Sequence, residues 1–201
     1  MISLIILIIL LLYSIILHEI AHGYTAYKLG DPTAKYSGRL TLNPIAHIDP
    51  VGTILVPALL ILSHASILFG WAKPVPINPY SFKNPRKDMA WVGLAGPASN
   101  LCIAFILSLI IKILPPSYLS YILTQVALIN IVLSVINLIP IPPLDGSRIV
   151  SGMLPREMAY QYSKIEPYGI ILAYIFIIAF FRTLIEPIIG IIASLLNLNF
   201  L

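Results

Sequence analysis

The sequence predicts an all-α polytopic membrane protein with about five to six transmembrane or re-entrant helices and a few short strands. Of its 201 residues, 59% are hydrophobic and only 10% are charged, whereas soluble domains carry about 25% charged residues. The mean hydropathy is +0.95. We expect a single membrane-embedded domain over residues 1–201, with a core at about 1–155 and C-terminal helices at about 167–200.

The first apolar segment runs from Ile2 to about Leu29 and carries two histidines near its C-terminal end. At about 1.5 Å per residue the segment is long enough to cross the hydrocarbon core. His18 and His22 lie four residues apart, so a helix places both imidazoles on one face. Glu19 lies about 100° further round the helix. Two ligands with an adjacent carboxylate are typical of zinc hydrolases.

A chance match to this pattern is the competing interpretation. Such matches are common on soluble helices, but residues 1–17 contain no charged side chain. Ionisable groups within a membrane segment are costly and usually mark a functional site. The setting therefore favours a metal site at His18 and His22.

The connection that follows is predicted to contain a short strand, because Tyr36, Leu40 and Leu42 together with Thr41 are residue types that favour strands. His47 and Asp49 come next. They either form an ordinary turn or act as a pair that supports the metal site or contacts substrate.

A second apolar run covers residues 51–69 and contains Pro57 and His64. The stretch 71–77 is predicted to be extended, because residues that precede proline avoid the helical region.

Two further membrane segments are predicted at about Met89–Lys112 and Tyr118–Leu138. The first opens with small residues around Gly96, which allow another helix to approach closely, and Asn100 is a polar amide at that contact. After Asn137 the second segment breaks at three prolines, Pro140, Pro142 and Pro143, which cannot continue a helix.

The C-terminal part is predicted to contain a short helix within 147–166 and two more apolar runs, Tyr168–Phe181 and Leu184–Leu198. The first of these runs is long enough for a short span, and the second either spans the membrane or lies in the interface.

A catalytic zinc ion usually has three protein ligands and one open position. The candidates for the third ligand are Asp145, Asp49, His47 and His64. Asp145 is favoured because it follows a broken apolar segment, and irregular backbone at membrane depth is tolerated only where it is buried or lines a wet cavity. The alternative role for Asp145 is the N-cap of the following helix.

The charge distribution predicts the topology. If residues 51–69 cross the membrane fully, the twelve Lys and Arg residues divide almost evenly between the two sides. If this run enters and returns, ten of them lie on the side of the candidate ligands. Because Lys and Arg favour the cytoplasmic side, we expect a re-entrant run and an active-site end that faces the cytoplasm.

Three separated motifs resemble the site-2 protease family of intramembrane zinc metalloproteases: residues 18–22, 96–100 and 137–146. The stretches 41–53 and 70–78 are similar to its small subgroup, which lacks a PDZ domain. The resemblance implies one zinc ion per chain bound by three side chains and a glutamate as the catalytic base. By position in the motifs, the ligands would be His18, His22 and Asp145, the base Glu19, and the residues near the substrate or oxyanion Asn100 and Asn137.

The implied function is hydrolysis of peptide bonds within or near transmembrane segments, as in regulated intramembrane proteolysis. The expected partners are a transmembrane protein substrate and the lipid bilayer. The net charge of +4 is small and spread among loops, so no nucleic-acid binding is expected. We expect a multi-pass protein of a prokaryotic plasma membrane. The alternatives are a metal-ion transporter and a catalytically inactive scaffold.

Overall fold

The structure is a computed structural model that describes residues 2–63 and 72–198. It is helical, and it confirms the predicted all-α membrane class. The helices are α1 (Ile2–Lys28), α2 (Thr33–Tyr36), α3 (Val56–Leu62), α4 (Pro85–Ile113), α5 (Tyr118–Asn137), α6 (Asp145–Met153), α7 (Arg156–Ser163), α8 (Gly169–Phe180) and α9 (Glu186–Leu195). Short 3-10 turns lie at Pro44–His47, Pro79–Ser81 and Glu166–Tyr168, and π-helical turns lie at Pro50–Leu55 and Phe181–Ile185.

The predicted short strand around Tyr36 to Leu42 is wrong, and no strand occurs in the two described ranges. The side chain of Asp31 accepts hydrogen bonds from the backbone N–H and the hydroxyl of Thr33, which favours the single helical turn of α2. Gly38 then adopts a φ of +68° and reverses the chain. The local hydrogen bonds of Asp31 therefore override the strand preference of the apolar side chains.

Four helical stretches of the described chain are long and apolar enough to cross a membrane: Ile6–Lys28, Pro85–Ile113, Tyr118–Asn137 and Arg156–Leu195. In the last stretch, α8 and α9 follow each other through a π-helical turn. The two predicted C-terminal runs are therefore parts of one helical arm. This arm is largely exposed along α8 and packs against α5 through α9.

The centre of the bundle is α4, which packs against α1, α5 and α6. The core between α4, α5 and α9 is built from small and branched side chains, including Ala104, Ala127, Ile131 and Ala193. Small residues allow helix backbones to approach closely. Because α1 and α6 both pack on α4, side chains that lie far apart in the sequence meet on its surface.

The contacts between α1 and α4 give the relative direction of these two helices, which flank the second apolar run. His18 contacts Asn100, and His22 contacts Val92, so α1 and α4 run antiparallel. The backbone N–H of Lys73 donates to the carbonyl of His47 at 2.9 Å, which brings the two ends of the intervening segment together. Helical residues 50–62 rise only about 20 Å. These observations support the predicted re-entrant run over a full crossing. Residues 64–69 of that run, His64 among them, lie outside the described residues.

We predict that Tyr36→Cys and Lys83→Cys will react with a membrane-impermeant thiol reagent from the same side of the membrane. Both side chains are exposed, and they lie before and after the apolar run at residues 51–69. Lys112→Cys should react from the opposite side. The variants are made in a Cys102→Ala background and compared in right-side-out and inverted vesicles. Labelling of positions 36 and 83 from opposite sides would contradict this topology.

Candidate metal centre

The two histidines of α1 are buried against α4. His18 is 7% exposed and His22 is 3% exposed. Their close approach to α4 depends on Gly96: a Cβ atom there would lie 2.4 Å from His22 Nε2 and 2.6 Å from His18 Cε1. Such distances are far inside van der Waals contact, so the position accepts only glycine without movement of the imidazoles.

Asp145 meets both histidines at the start of α6. Its Oδ2 atom lies 3.1 Å from His18 Nε2 and 3.1 Å from His22 Nε2, and the two Nε2 atoms lie 3.0 Å apart. The alternative role as a helix cap is not what the structure shows, because Leu144 occupies the N-cap position and no side chain caps this helix. The carboxylate faces the imidazoles instead.

The outer nitrogen of each imidazole faces a carbonyl oxygen. His18 Nδ1 lies 3.2 Å from Asn100 Oδ1, and His22 Nδ1 lies 2.6 Å from the backbone oxygen of Val92. Since carbonyl oxygens only accept hydrogen bonds, each neutral ring carries its proton on Nδ1 and presents a lone pair at Nε2. Three lone-pair atoms then converge within 3.1 Å of one another, an arrangement that a bound cation stabilises.

The donor set and its spacing fit zinc. In a tetrahedral site with metal–ligand distances of about 2.0–2.1 Å, neighbouring ligand atoms lie about 3.3 Å apart. The three distances of 3.0 to 3.1 Å are close to that value. Two imidazoles and one carboxylate would leave one coordination position open, as in catalytic sites.

Glu19 lies beside the cluster in a cleft of about 160 Å³ that His18, His22 and Asp145 also line. Its Oε2 atom accepts a hydrogen bond of 2.9 Å from the backbone N–H of Val75. The carboxylate is only partly buried. One side of Glu19 is therefore fixed, and its remaining lone pairs are free to face the cleft.

Val75 belongs to residues 72–78, which form neither helix nor strand and which we call the strap. In the strap, the backbone carbonyls of Lys73 and Pro74 accept hydrogen bonds from Arg39 Nη2 at 2.5 and 3.2 Å. The extended conformation of residues 71–77 stays a prediction, and the strap is held by side chains and single backbone bonds rather than by a sheet. Its fixed position directs the Val75 N–H toward Glu19.

Asp31 anchors the far end of the strap. Its Oδ2 atom accepts from the backbone N–H of Asn78 at 2.6 Å. Burial raises the pKa of the Asp31 carboxyl, but hydrogen bonds from Thr33, Asn78 and Ser81 outweigh burial and lower this pKa below its ordinary value. The group therefore stays charged at neutral pH and holds the strap against the end of α1.

The structure separates the roles of the other predicted residues. Asn137 lines the cleft, whereas Asn100 lies behind His18. The His47 side chain bonds to the carbonyl of Thr41, and Asp49 accepts from the N–H groups that begin the following helix. The side chains of His47 and Asp49 are thus not brought to the cleft, although the His47 carbonyl holds the strap.

Sequence reasoning missed Arg148, which also lines the cleft. Its Nη1 atom lies 3.9 Å from Asp145 Oδ1, the carboxylate oxygen that faces away from the imidazoles. A spacing of three residues brings side chains together on a helix. The spacing of Asp145 and Arg148 could have indicated this contact, but only if the start of α6 at Asp145 had been known.

The fold and the cluster together define a class, a helical membrane protein with a buried cluster that could hold a metal ion and with an adjacent carboxylate. A model of Peptidase family M50 matches residues 114–181. YwhC of Bacillus subtilis, provisionally named a zinc metalloprotease, is 43% identical over 82% of the chain and 76% of its own length. The chain therefore belongs to peptidase family M50, the site-2 protease family.

More distant relatives extend this comparison. Rip2 of Mycolicibacterium smegmatis, also provisionally named a zinc metalloprotease, is 29% identical over 83% of the chain and 64% of its own length. Zinc metalloprotease MJ0392 of Methanocaldococcus jannaschii is 27% identical over 79% of the chain and 37% of its own length. The chain thus spans less than two thirds of these two relatives. No solved structure matches it significantly.

We predict that Gly96→Ala will lower the affinity for zinc about fivefold or more, because overpacking costs about 1–3 kcal/mol and displaces the imidazoles. Zinc affinity is measured on purified protein by competition with a chelator. Gly190→Ala is the matched control, since a Cβ at this helical glycine meets nothing within 4 Å. Equal affinity in the Gly96 variant and the parent would contradict the described packing.

Proposed function

We propose that this chain is a zinc-dependent endopeptidase that cuts peptide bonds within or near transmembrane segments of other membrane proteins. One zinc ion per chain would be held by His18, His22 and Asp145. The observation that carries the proposal is the convergence of three lone-pair atoms beside Glu19 in a buried cleft. Relatives named as zinc metalloproteases support the choice of metal and reaction.

Zinc at this position would polarise the scissile carbonyl and make a water molecule acidic enough to attack near neutral pH. Glu19 is the general base: it takes the proton of that water and passes it to the leaving nitrogen. The bond from the Val75 N–H keeps one carboxylate oxygen in place without using all of its lone pairs. The strap thus orients the base relative to the three ligands.

Asn137 is the better placed of the two asparagines to meet substrate, because it lines the cleft. One of its N–H groups donates to the carbonyl of Leu133, which leaves the second N–H for a substrate carbonyl or the developing oxyanion. Asn100 instead accepts from His18 Nδ1 and acts as a positioning residue. We therefore assign substrate contact to Asn137 and orientation of the ligand to Asn100.

A transmembrane substrate must unwind before its peptide bond can be attacked, since every backbone group of a helix is already bonded internally. The strap can pair with such a segment only in part. Pro74 and Pro76 have no N–H, and the N–H groups of Lys73 and Val75 are engaged. In the described chain the Ile77 N–H makes no hydrogen bond, so we propose that pairing centres on Ile77.

We infer that the cleft faces the cytoplasm of a prokaryotic cell and that the protein lies in the plasma membrane. The antiparallel arrangement of α1 and α4 supports a re-entrant run at residues 51–69. Ten of the twelve Lys and Arg residues then lie on the side of the cleft, the side that cytoplasmic loops favour. Residues 1–201 act as one membrane-embedded domain in this proposal.

We predict that Glu19→Gln will retain zinc but cut at least about 100-fold more slowly, because the amide cannot accept the proton of the attacking water. The substrate is a doubly tagged single-span protein whose membrane segment contains Gly and Pro, reconstituted with the enzyme in proteoliposomes. A poly-leucine segment should be cut more slowly than this substrate. Undiminished cleavage by the Glu19 variant would refute the assignment of the base.

Asp145→Ala is expected to lose both zinc and cleavage, since two imidazoles alone leave the ion underligated. Metal content is measured by elemental analysis beside the same cleavage assay. Zinc bound normally by this variant would exclude Asp145 as a ligand. Metal uptake into the proteoliposomes without cleavage by the parent would instead support a transporter.

A further inference from the structure

Three buried side chains at the junction of α1, α4 and α5 each have a polar atom without a hydrogen-bond partner in the described part of the chain. These atoms are Asn100 Nδ2, Asn130 Oδ1 and Ser134 Oγ. All three residues are 0% exposed. Unpaired polar groups are costly in a protein interior and are usually satisfied by ordered water when no protein partner is present.

The helix contacts place the three side chains at neighbouring depths behind His18. Asn130 Nδ2 donates to Ser14 Oγ at 2.9 Å, which fixes the register between α5 and α1. Asn137 of α5 lines the cleft beside His18, so the two helices run in the same direction. His18 follows Ser14 by one helical turn, and Ser134 follows Asn130 by one turn. His18 and Ser134 therefore lie at the same depth in the bundle.

Asn100 reaches this depth from the third helix. Its Oδ1 atom lies 3.2 Å from His18 Nδ1, so its amide is at the level of His18 and Ser134. The unpaired Nδ2 atom of the same amide is fully buried. Polar side chains of α4 and α5 therefore lie behind the metal centre. Asn100 of α4 contacts His18 of α1, and Asn130 of α5 contacts Ser14 of α1.

The chemistry of the three atoms is complementary to one water molecule. Asn100 Nδ2 donates, Asn130 Oδ1 accepts, and a hydroxyl such as Ser134 Oγ does either. A water molecule accepts from the first and donates to the second, and its remaining bond joins the hydroxyl. Three hydrogen bonds are typical of a buried water.

We propose that Asn100, Asn130 and Ser134 hold one buried water molecule behind His18, and that this water fixes the Asn100 amide so that its oxygen faces His18 Nδ1. The role in zinc binding rests on the proposed function. If the amide turned over, its N–H would face His18 Nδ1 and favour the tautomer with the proton on Nε2, the atom needed for the metal. Asn130 and Ser134 are therefore positioning residues for a zinc ligand.

The experiment compares zinc affinity, by chelator competition in nanodiscs, across the parent and three variants. Ser134→Ala removes the hydroxyl and should lower the affinity about tenfold or more, as loss of an outer partner of a metal ligand does. Ser134→Thr keeps the hydroxyl and should restore the affinity. Ser108→Ala is the matched control, because this buried serine bonds to the Phe105 carbonyl of its own helix. It should bind zinc like the parent.

A second measurement detects the water directly. A structure of the parent at a resolution that records ordered water should contain density bonded to Asn100 Nδ2, Asn130 Oδ1 and Ser134 Oγ. Absence of that density would overturn the water site, even if Ser134→Ala failed to fold. Unchanged zinc affinity in Ser134→Ala would overturn the positioning role.

The two proposals fail in different ways. A parent that binds no zinc would refute the proposed function and, with it, the positioning role, while the density would still decide the water site. A parent that binds zinc normally, together with an unaffected Ser134→Ala variant, would leave the proposed function intact and refute only the present inference.

Discussion

The convergence of His18, His22 and Asp145 is the constraint on which the rest of the structure depends. Three atoms that carry lone pairs lie within 3.1 Å of one another inside an apolar bundle. Such a cluster is unstable without positive charge, because the surrounding side chains offer little solvation. Much of the bundle can be understood as a means of holding these three groups together: Gly96 makes room for the imidazoles, and carbonyl oxygens orient both rings.

Different elements of the chain carry the different residues of the candidate site. In the proposed function, α1 would supply two ligands and the base, α4 supplies the surface on which these side chains pack, and α6 would supply the third ligand, a carboxylate. The strap is held at Arg39 and Asp31, and its Val75 N–H restrains Glu19. A rigid ligand set next to a base with free lone pairs is the arrangement that hydrolysis of an otherwise stable amide bond requires.

The sequence predicted those features that depend on local spacing or composition. Two histidines four residues apart share a helix face, so their joint orientation follows from the helical repeat. Three of the four long apolar helices follow from composition in the same way, whereas the fourth, Arg156–Leu195, was predicted as two separate apolar runs after a loop. The contact with Asp145 was anticipated from its place after a proline-broken segment and from the family resemblance, since a separation of more than a hundred residues leaves no periodic signal.

Other features depend on tertiary packing and were not predictable. The residues from Tyr36 to Leu42 favoured a strand, but the hydrogen bonds of the Asp31 side chain to Thr33 and the positive φ of Gly38 determined the local structure. Nothing in the spacing of Asn100 indicated that its oxygen would face His18 rather than the cleft. The bond between Glu19 and Val75 joins residues that are 56 positions apart, and it forms only because the strap crosses α1.

X-ray absorption at the zinc edge of the purified parent tests the central claim most directly. The account predicts one zinc ion per chain, with two imidazole nitrogens and one carboxylate oxygen at about 2.0–2.1 Å. A zinc-free protein, or a spectrum that requires a thiolate or only one imidazole, would contradict it.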